Sequence, residues 1–375
     1  MATGFVRKFI KWFFILGNIL ISLLFLVACL SPFLNPHDWP IIGFLPLAVP
    51  YLATALIFYL IFWLIVKPVR VLIPLVTLLI GWKQLSVIFA WHPSRTFNIN
   101  YRTDSTLRII TWNVRGMYGM SNSGYVQIRS RNEIAALINK YNADVVCLQE
   151  FMNNTNPKYP FSNSIGLFTG ECPYYFFARD GQSPAHTSSW GTILFSKYPI
   201  LDSGKIKFPG AASESLIYVD ILKGNDTIRI FTTHLQSFQF NADDYKDLEK
   251  IKKQDDEALK ASENIYSKMK LAYSLRGLQA TIVRTETDKS PYPSVVCGDF
   301  NDVPNSYTYF HIRGKRQDAF LASSFGVGRS FDALAPTLRI DYILPDDHFN
   351  IHQFEMVDQG LSDHHLLVTD LSLKK

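Results

Sequence analysis

Hydrophobic residues in the N-terminal quarter of the chain form long runs without charged positions. Residues 12–37 and 39–66 contain no Asp, Glu, Lys or Arg. Each run exceeds the roughly 20 residues that a helix needs to cross the hydrocarbon core of a bilayer. Neither run shows the polar face that a core helix of a soluble protein presents. The pattern therefore predicts two transmembrane helices, at about 10–33 and 41–66.

A third apolar run, residues 71–91, is interrupted by Lys83. A lysine within a span costs roughly 2.5–3.5 kcal/mol, and Leu, Ile, Val and Phe at roughly −0.3 to −0.6 kcal/mol each can offset that cost. We therefore expect a third transmembrane helix over 71–91. The alternative is an interfacial or re-entrant segment from which the Lys83 ammonium reaches the membrane surface.

The basic residues near the predicted spans indicate how the chain is oriented. They precede the first span or follow the second: Arg7, Lys8, Lys11, Lys67 and Arg70. The loop 33–39 has none, so the N-terminus and the 67–70 loop are expected in the cytoplasm. With three spans the chain after residue 92 lies outside the cytoplasm, and with two spans it lies inside. The expected location is a cell (inner) membrane, crossed more than once, with the extracytoplasmic placement preferred.

Beyond about residue 100, short apolar stretches alternate with polar turns. Strands are predicted at 107–114, 143–150, 191–197, 215–222, 227–235, 294–300, 337–345 and 364–373. Residues 131–141 and the charged stretch 242–284 have helical spacing. About 280 residues of mixed helix and strand can bury a full hydrophobic core. We therefore expect a membrane region over 1–91 and one further domain over 100–375.

Composition narrows the possibilities only slightly. The 375-residue chain has a net charge of +5, which does not by itself indicate a nucleic-acid partner. Its four cysteines show neither metal-type CxxC spacing nor a readable disulfide framework. Three spans are few for a transporter or channel, and most of the chain lies outside the apolar runs.

Six predicted strands carry an acid, an amide or an imidazole, mostly at their C-terminal ends. These residues are Asn113, Glu150, His234, Asp299 with Asn301, Asp341, and Asp363 with His364. Each alone has an ordinary structural explanation, since Asn and Asp are common in turns and a histidine can be satisfied within a core. Strand ends at one edge of a packed sheet converge, however, so the set together predicts one polar pocket.

The order of the segments TWNVRG, CLQE, TTHL, GDFND, IDYIL and SDHHLL resembles the endonuclease/exonuclease/phosphatase superfamily, which has the deoxyribonuclease I-like fold. The matching segments span 111–367. The resemblance implies an α+β protein, a four-layer α/β/β/α sandwich with two mostly antiparallel central sheets. It also implies metal-dependent hydrolysis of phosphoester bonds, here by a bacterial member anchored in a membrane.

The residue types suit this chemistry. Mg²⁺ usually takes one or two carboxylates plus waters and phosphate oxygens, so Glu150 is the expected ligand, with Asn113 beside it and Asp363 completing the set. Mn²⁺ is a second possibility. The resemblance implies that Asp299 and Asn301 hold and activate a water molecule.

The resemblance further implies that His234 binds the phosphate or stabilises the transition state, and that Asp341 orients His364. His186 and Arg276 are weaker candidates for substrate binding. His365 is expected to be structural, because its side chain should point away from that of His364.

The substrate stays open between nucleic acid and a phospholipid or other envelope phosphoester. DNA-cleaving members often place a Lys or Arg shortly after the CLQE glutamate, whereas this chain continues FMNNTN. The competing hypothesis is a catalytically inactive member that serves as a membrane-tethered binding module. Competent residues at all the expected positions argue against it. The expected partners are the substrate and the lipid bilayer, and no protein partner is predicted.

Overall fold

The structure is a computed structural model that describes residues 2–93, 96–121, 123–159, 162–210, 214–254, 257–333 and 335–374. Its N-terminal part is helical, with α1 (Ala2–Ala28), α2 (Leu45–Val66), α3 (Leu72–Ile80) and α4 (Trp82–Leu85), and with 3₁₀ turns at Ser31–Phe33, Pro40–Phe44 and Pro68–Val71. The segments Lys8–Phe33 and Pro40–Val66 are each long and apolar enough to cross a membrane. Two of the expected spans therefore exist as helices.

The third apolar run does not form the single helix expected over 71–91. It breaks at Gly81, where a Cβ would lie 2.3 Å from the Phe25 ring of α1. After α4 the chain enters the next domain, and Val87 and Ala90 join its hydrophobic cores. Lys83 lies at this junction, with its Nζ 5.5 Å from the ring centre of Phe310. The lysine that interrupts the run therefore marks the end of the helical region.

The remaining chain contains two large β-sheets. Its strands are β1 (Ala90–Trp91), β2 (Leu107–Asn113), β3 (Val145–Asn154), β4 (Tyr174–Phe177), β5 (Gly181–Gln182), β6 (Ser188–Ser196), β7 (Ile200–Lys207), β8 (Ser215–Lys223), β9 (Asp226–His234), β10 (Ser294–Asp299), β11 (Phe325–Gly326), β12 (Asp341–Pro345), β13 (Phe349–Val357) and β14 (Leu366–Leu373). Its helices are α5 (Gly124–Lys140), α6 (Ala242–Lys253), α7 (Ala258–Asp288), α8 (Tyr307–Arg313) and α9 (Ala319–Ser323).

One sheet has the order β13-β14-β2-β3-β6-β4, with β5 also paired to β6, and the other has the order β12-β10-β9-β8-β7. Each sheet contains one parallel pair, β2 with β3 and β9 with β10, and its other pairs are antiparallel. Short β1 and β11 pair separately. The expectation of two mostly antiparallel sheets is confirmed.

Three hydrophobic cores define the layers. Ile109, Cys147 and Ile230 belong to the core between the two sheets. Ile134 of α5 packs on the outer face of the seven-stranded sheet. Val283 of α7 packs, together with α8, on the outer face of the five-stranded sheet. This is the α/β/β/α sandwich expected from the sequence.

Strand direction explains why the polar residues meet. β2, β9 and β10 end at one edge, which β3 crosses at Glu150, and the antiparallel strands β12 and β14 begin there. Asp299, the last residue of β10, is opposite both His234 of β9 and Asp341 of β12. The strand expected over 337–345 therefore begins only at Asp341, which lies at the sheet edge rather than in mid-strand.

The predicted helical stretch 242–284 is two helices rather than one. α6 begins with a capping box in which the Asn241 side chain accepts hydrogen bonds from the backbone N–H groups of Asp243 and Asp244. It ends where Gln254 adopts a left-handed conformation with φ 54°, a common way to terminate a helix. α7 then covers the five-stranded sheet.

Candidate active site

A cavity of about 200 Å³ lies at the shared edge of the two sheets. Seven of the predicted site residues line it: Glu150, His234, Arg276, Asp299, Asn301, Asp363 and His364. Asn113 and Asp341 lie behind this lining and are buried. The two sheets thus bring most of the predicted set to one place.

Asn113 joins the two sheets by hydrogen bonds. Its Nδ2 donates to Glu150 Oε1 at 3.0 Å and to Asp299 Oδ2 at 3.1 Å. Its Oδ1 accepts the backbone N–H of Arg115 at 3.1 Å. The amide therefore holds one carboxylate from each sheet at a fixed separation, and it separates two like charges with a donor group.

Glu150 is aimed into the cavity by an irregularity in β3. The pairing of β3 with β6 changes register between Leu148 and Phe151, and Glu150 has φ 52°. A bulge re-aims a side chain in this way, and a left-handed non-glycine residue is strained. The strand does not end at Glu150 as the sequence predicted but continues to Asn154. The carboxylate is 43% exposed, while its neighbour Gln149 is fully buried.

His364 lies between two carboxylates. Its Nδ1 is 3.0 Å from Asp341 Oδ2, and its Nε2 is 3.6 Å from Asp299 Oδ2. Burial lowers the pKa of His364, but the Asp341 and Asp299 carboxylates outweigh that effect and raise the pKa to about 10. Burial raises the pKa of Asp341 to about 6, against the opposing influence of His364. The two carboxylates thus favour the imidazolium form of His364.

A serine outside the predicted set fixes this pair. Ser330 Oγ donates to Asp341 Oδ2 at 2.8 Å and accepts the backbone N–H groups of Ile340 and Asp341. The ring of Phe331 lies 4.7 Å from the His364 ring. Neither residue had a signal in the sequence, because both come from a loop whose position depends on the sheets.

His234 and Asn301 complete the edge of the five-stranded sheet. His234 Nε2 lies 3.6 Å from Asp299 Oδ2 and 3.8 Å from Glu150 Oε1, and it has no hydrogen-bond partner among the described residues. Asn301 is held by its Nδ2, which donates to the Leu235 carbonyl at 2.9 Å, and by its backbone N–H, which donates to Asp299 Oδ1 at 2.8 Å. The Nε2 of His234, a residue that lines the cavity, is thus a buried ring nitrogen without a hydrogen-bond partner among the described residues.

The comparisons with known proteins bear directly on this arrangement. The sequence profile described as "Endonuclease/Exonuclease/phosphatase family" matches residues 110–364, more than half of the chain. The chain belongs to the endonuclease/exonuclease/phosphatase family. Members of this family hydrolyse phosphoester bonds. A second profile, a domain of unknown function (DUF8431), matches residues 10–88. No curated protein matches the chain.

Solved structures of the family share the fold. An endonuclease/exonuclease/phosphatase from Beutenbergia cavernae has 21% sequence identity and a TM-score of 0.50, and the match covers 72% of each chain. The catalytic domain of human nocturnin, solved with bound sulfate, has 18% identity and a TM-score of 0.50, with 72% of this chain and 94% of that chain covered. At these identities the likeness concerns the fold alone.

Asp363 lines the cavity and forms an ion pair with a basic residue. Its Oδ2 lies 3.7 Å from Arg115 Nε, and its Oδ1 lies 3.3 Å from Ser362 Oγ. Arg115 is part of the TWNVRG segment and has φ 46°. Of the two carboxylates expected to bind metal, Glu150 is therefore held by Asn113, whereas Asp363 is held by Arg115.

Arg276 is buried beside the cavity. Its Nε donates to the Gln236 carbonyl at 2.6 Å, and its guanidinium lies 4.3 Å from the ring centre of Phe238. The terminal nitrogens Nη1 and Nη2 have no hydrogen-bond partner among the described residues. Burial lowers the pKa of Arg276, and burial likewise raises the pKa of the nearby carboxyl Asp302. Asp302 belongs to the GDFND segment but is not one of the site residues predicted from the sequence.

Two other histidines lie outside the cavity. The exposed His186 contacts Gln182 through its Nδ1 at 3.2 Å and does not line the cavity described here. The structure therefore does not bring this weaker candidate to the site. His365 faces away from His364, and its Nε2 is 3.2 Å from Asp332 Oδ1. This is the structural position expected for His365.

Proposed function

We propose that the chain is a membrane-anchored, divalent-metal-dependent hydrolase of phosphodiester bonds. The observation that carries the proposal is the network across the sheet edge. Asn113 bridges Glu150 and Asp299, while His364 lies between Asp299 and Asp341. The network places an exposed carboxylate, a buried carboxylate and an imidazolium around one cavity.

The donor set fits a hard cation such as Mg²⁺, with Mn²⁺ as the alternative. Glu150 offers a carboxylate that is half-exposed in the cavity, and Asp363, which lines the same cavity, offers a second one. Both are oxygen donors of the kind that Mg²⁺ prefers. Asp299, Asp341 and His364 also lie close enough together to hold an ion. We favour Glu150, because His364 already balances the other two charges. A bound cation would neutralise phosphate charge and stabilise the leaving oxygen.

Protein side chains accept the proton from water and stabilise the charge on the phosphoryl group. Asp299, held by Asn113 and the Asn301 backbone, accepts a proton from the attacking water. The new bond joins that water oxygen to phosphorus, and the bond from phosphorus to the leaving alkoxide breaks. His364, as an imidazolium, donates a hydrogen bond to a phosphoryl oxygen, where negative charge increases. The Nε2 of His234, which has no hydrogen-bond partner among the described residues, donates a second hydrogen bond to the phosphoryl group.

The metal requirement and the catalytic roles have one direct test. The full chain, purified in detergent, would be given bis(4-nitrophenyl) phosphate with Mg²⁺, Mn²⁺ or EDTA. We expect hydrolysis with metal, none with EDTA, and a loss of about 10²–10⁴-fold in His364→Gln. His365→Gln is the matched control, since the neighbouring imidazole faces away. A folded, metal-binding protein without activity would instead support the inactive binding module.

Membrane anchoring is supported by exposure of the apolar helices. In each of the two long helices, only 28% of the most apolar 18-residue stretch is buried. A core helix of a soluble protein would be mostly buried, whereas here Phe13, Leu20 and Ile61 are more than half exposed. A bilayer is the surrounding that satisfies such surfaces.

Contacts between the helices and the catalytic domain support an extracytoplasmic site. The connection between α1 and α2 binds the domain, because Ser31 Oγ donates to the Asn305 carbonyl and Asn305 Nδ2 donates to the Pro46 carbonyl. The basic residues Lys8, Lys11, Lys67 and Arg70 lie together at the other end of the helices. Because such ends stay in the cytoplasm, the domain lies on the opposite side.

The segment 68–85 makes the third crossing that this placement requires. Arg70 lies against Trp63 near the basic end, and Gln84 Nε2 donates to the Cys29 carbonyl near the domain. A C-terminal alkaline phosphatase fusion in a bacterial host should therefore be active, and a C-terminal green fluorescent protein fusion should be dark. The reverse pair of results would place the domain in the cytoplasm.

A further inference from the structure

The wall of the cavity includes a residue from a predicted membrane helix. Leu47, in the first turn of α2, lines the same cavity as Glu150, Asp299 and His364. It packs against Val303, Leu338 and Ile340 of the catalytic domain. The catalytic groups therefore lie within one side-chain layer of the point where α2 leaves the domain.

The surface around this point is suited to a membrane boundary. Trp39 and Ile41, just before α2, are each 60% exposed, and Phe33 is 63% exposed. Tryptophan at the end of an apolar helix is typical of the membrane–water interface. Phe44 stacks on Tyr266 of α7 with ring centres 5.2 Å apart, and Leu271 of the same helix is exposed. The apolar surface therefore includes a part of the catalytic domain.

Part of the cavity wall is apolar and aromatic. Phe238 and Phe240 stack with ring centres 5.2 Å apart, and Phe240 contacts Tyr245 edge to face. All three line the cavity with Leu47. Among the described lining residues Arg276 is the sole Arg or Lys, and it is buried. Nucleic-acid binding draws its affinity from many phosphate contacts by exposed basic residues, which this wall does not provide.

We propose that the substrate is a phospholipid of the extracytoplasmic leaflet of the membrane in which the protein itself is anchored. The inference rests on the proposed function and adds the substrate class. The acyl chains stay in or near the bilayer beside Leu47, Phe238 and Phe240, while the phosphodiester reaches His234, Asp299 and His364. Water adds to phosphorus, and one phosphorus–oxygen ester bond breaks. The products are an alcohol and a phosphomonoester.

The test uses the full chain in nanodiscs of phosphatidylethanolamine, phosphatidylglycerol and phosphatidylcholine with Mg²⁺. Lipid products are identified by mass spectrometry, and bis(4-nitrophenyl) phosphate and supercoiled plasmid are assayed in parallel. We expect cleavage of at least one lipid and of the soluble diester, with the plasmid intact. Cleavage of the soluble diester with nicked plasmid and intact lipids would overturn the inference in favour of a nuclease.

Two further outcomes are also decisive. Cleavage of the soluble diester alone would overturn the lipid assignment and leave the hydrolase in place. No cleavage of any substrate by the folded protein would overturn the proposed function, and the inference with it.

A pair of matched variants tests the wall itself. Leu47→Glu should lower the ratio of lipid cleavage to soluble-diester cleavage by about tenfold, which corresponds to the loss of one leucine contact with an acyl chain. Leu201→Glu, on the far edge strand β7, should leave this ratio at the wild-type value. Equal ratios in the two variants would contradict the role of Leu47. The wild-type nanodisc assay decides the inference even if Leu47→Glu fails to fold.

Discussion

The cavity has two walls of different origin. One is formed by Asp299, His234 and His364 at the edges of two sheets, and all three residues are buried. The other is formed by Leu47 from the N-terminal helical region and by Phe238 and Phe240 from the segment between β9 and α6. The polar wall comes from strands in register, whereas the apolar wall comes from a loop and a helix end.

The difference suggests separate roles for the two walls, catalysis for the polar wall and substrate selection for the apolar wall. In the proposed function, the polar wall acts on a phosphodiester group whatever is attached to it, because its hydrogen bonds and charges act on phosphoryl oxygens and water. The apolar wall would contact the groups attached to that phosphodiester. Substitutions in the polar wall should therefore affect all substrates equally, and substitutions in the apolar wall should change the preference among substrates.

Replacement of Asp299 by Asn should have the largest effect. It keeps the shape but removes the proposed base, so kcat on both lipid and soluble diester should fall by about 10²–10⁴-fold. Asp288→Asn, at an exposed ion pair with Arg284, is the control. A fall on only one of the two substrates would break the distinction between the walls. Circular dichroism should show an unchanged fold.

Asn113→Ala should weaken metal binding rather than the chemistry alone. The amide positions Glu150 and Asp299, and loss of a group that orients a ligand typically lowers metal affinity or activity by about 10–100-fold. The Mg²⁺ concentration for half-maximal activity should rise accordingly on either substrate. Asn139→Ala on the exposed face of α5 is the control. An unchanged Mg²⁺ dependence would remove Glu150 from the proposed metal site.

Phe240→Ala should change substrate preference. Removing a ring from the apolar wall should lower the ratio of lipid to soluble-diester cleavage by about five- to tenfold. Tyr125→Ala, an exposed ring on α5, provides the comparison. If the rates of lipid cleavage and soluble-diester cleavage fell in equal proportion, Phe240 would instead act as a support for the catalytic groups of the polar wall.

Lys83→Ala should have the smallest effect. Lys83 Nζ lies 5.8 Å from the Phe33 ring and 5.5 Å from the Phe310 ring, and so connects the helical region to α8. An exposed cation–π contact is worth about 0.5–1 kcal/mol, which lowers the melting temperature by only about 1–4 °C. Thermal unfolding in detergent measures the shift, with Lys289→Ala as control. A collapse of the fold would mean that Lys83 supports far more than one contact.

The sequence predicted the long helices and most strands well, and it predicted the boundary between the helical region and the following domain less well. Long uncharged runs predicted α1 and α2, and alternating apolar stretches predicted most strands of the two sheets. The third run was misjudged as one helix because composition does not show that Gly81 breaks it or that Val87 enters the catalytic core. Local hydrophobicity is the same for lipid-facing and core-facing residues.

For the site, the order of the segments and the chemistry of their polar residues were enough to select the strand-end residues. Hydrophobic strands that end in acids and imidazoles need a common solvent-facing edge. The sequence alone also carried the resemblance to the endonuclease/exonuclease/phosphatase family, now supported by the profile match over 110–364. It did not provide the bulge that aims Glu150, the support that Ser330 gives Asp341, or the exclusion of His186. Those features depend on pairing register and loop placement, which are set by contacts between residues far apart in the chain. The same long-range packing decided that Leu47 of α2 lies in the wall of the cavity.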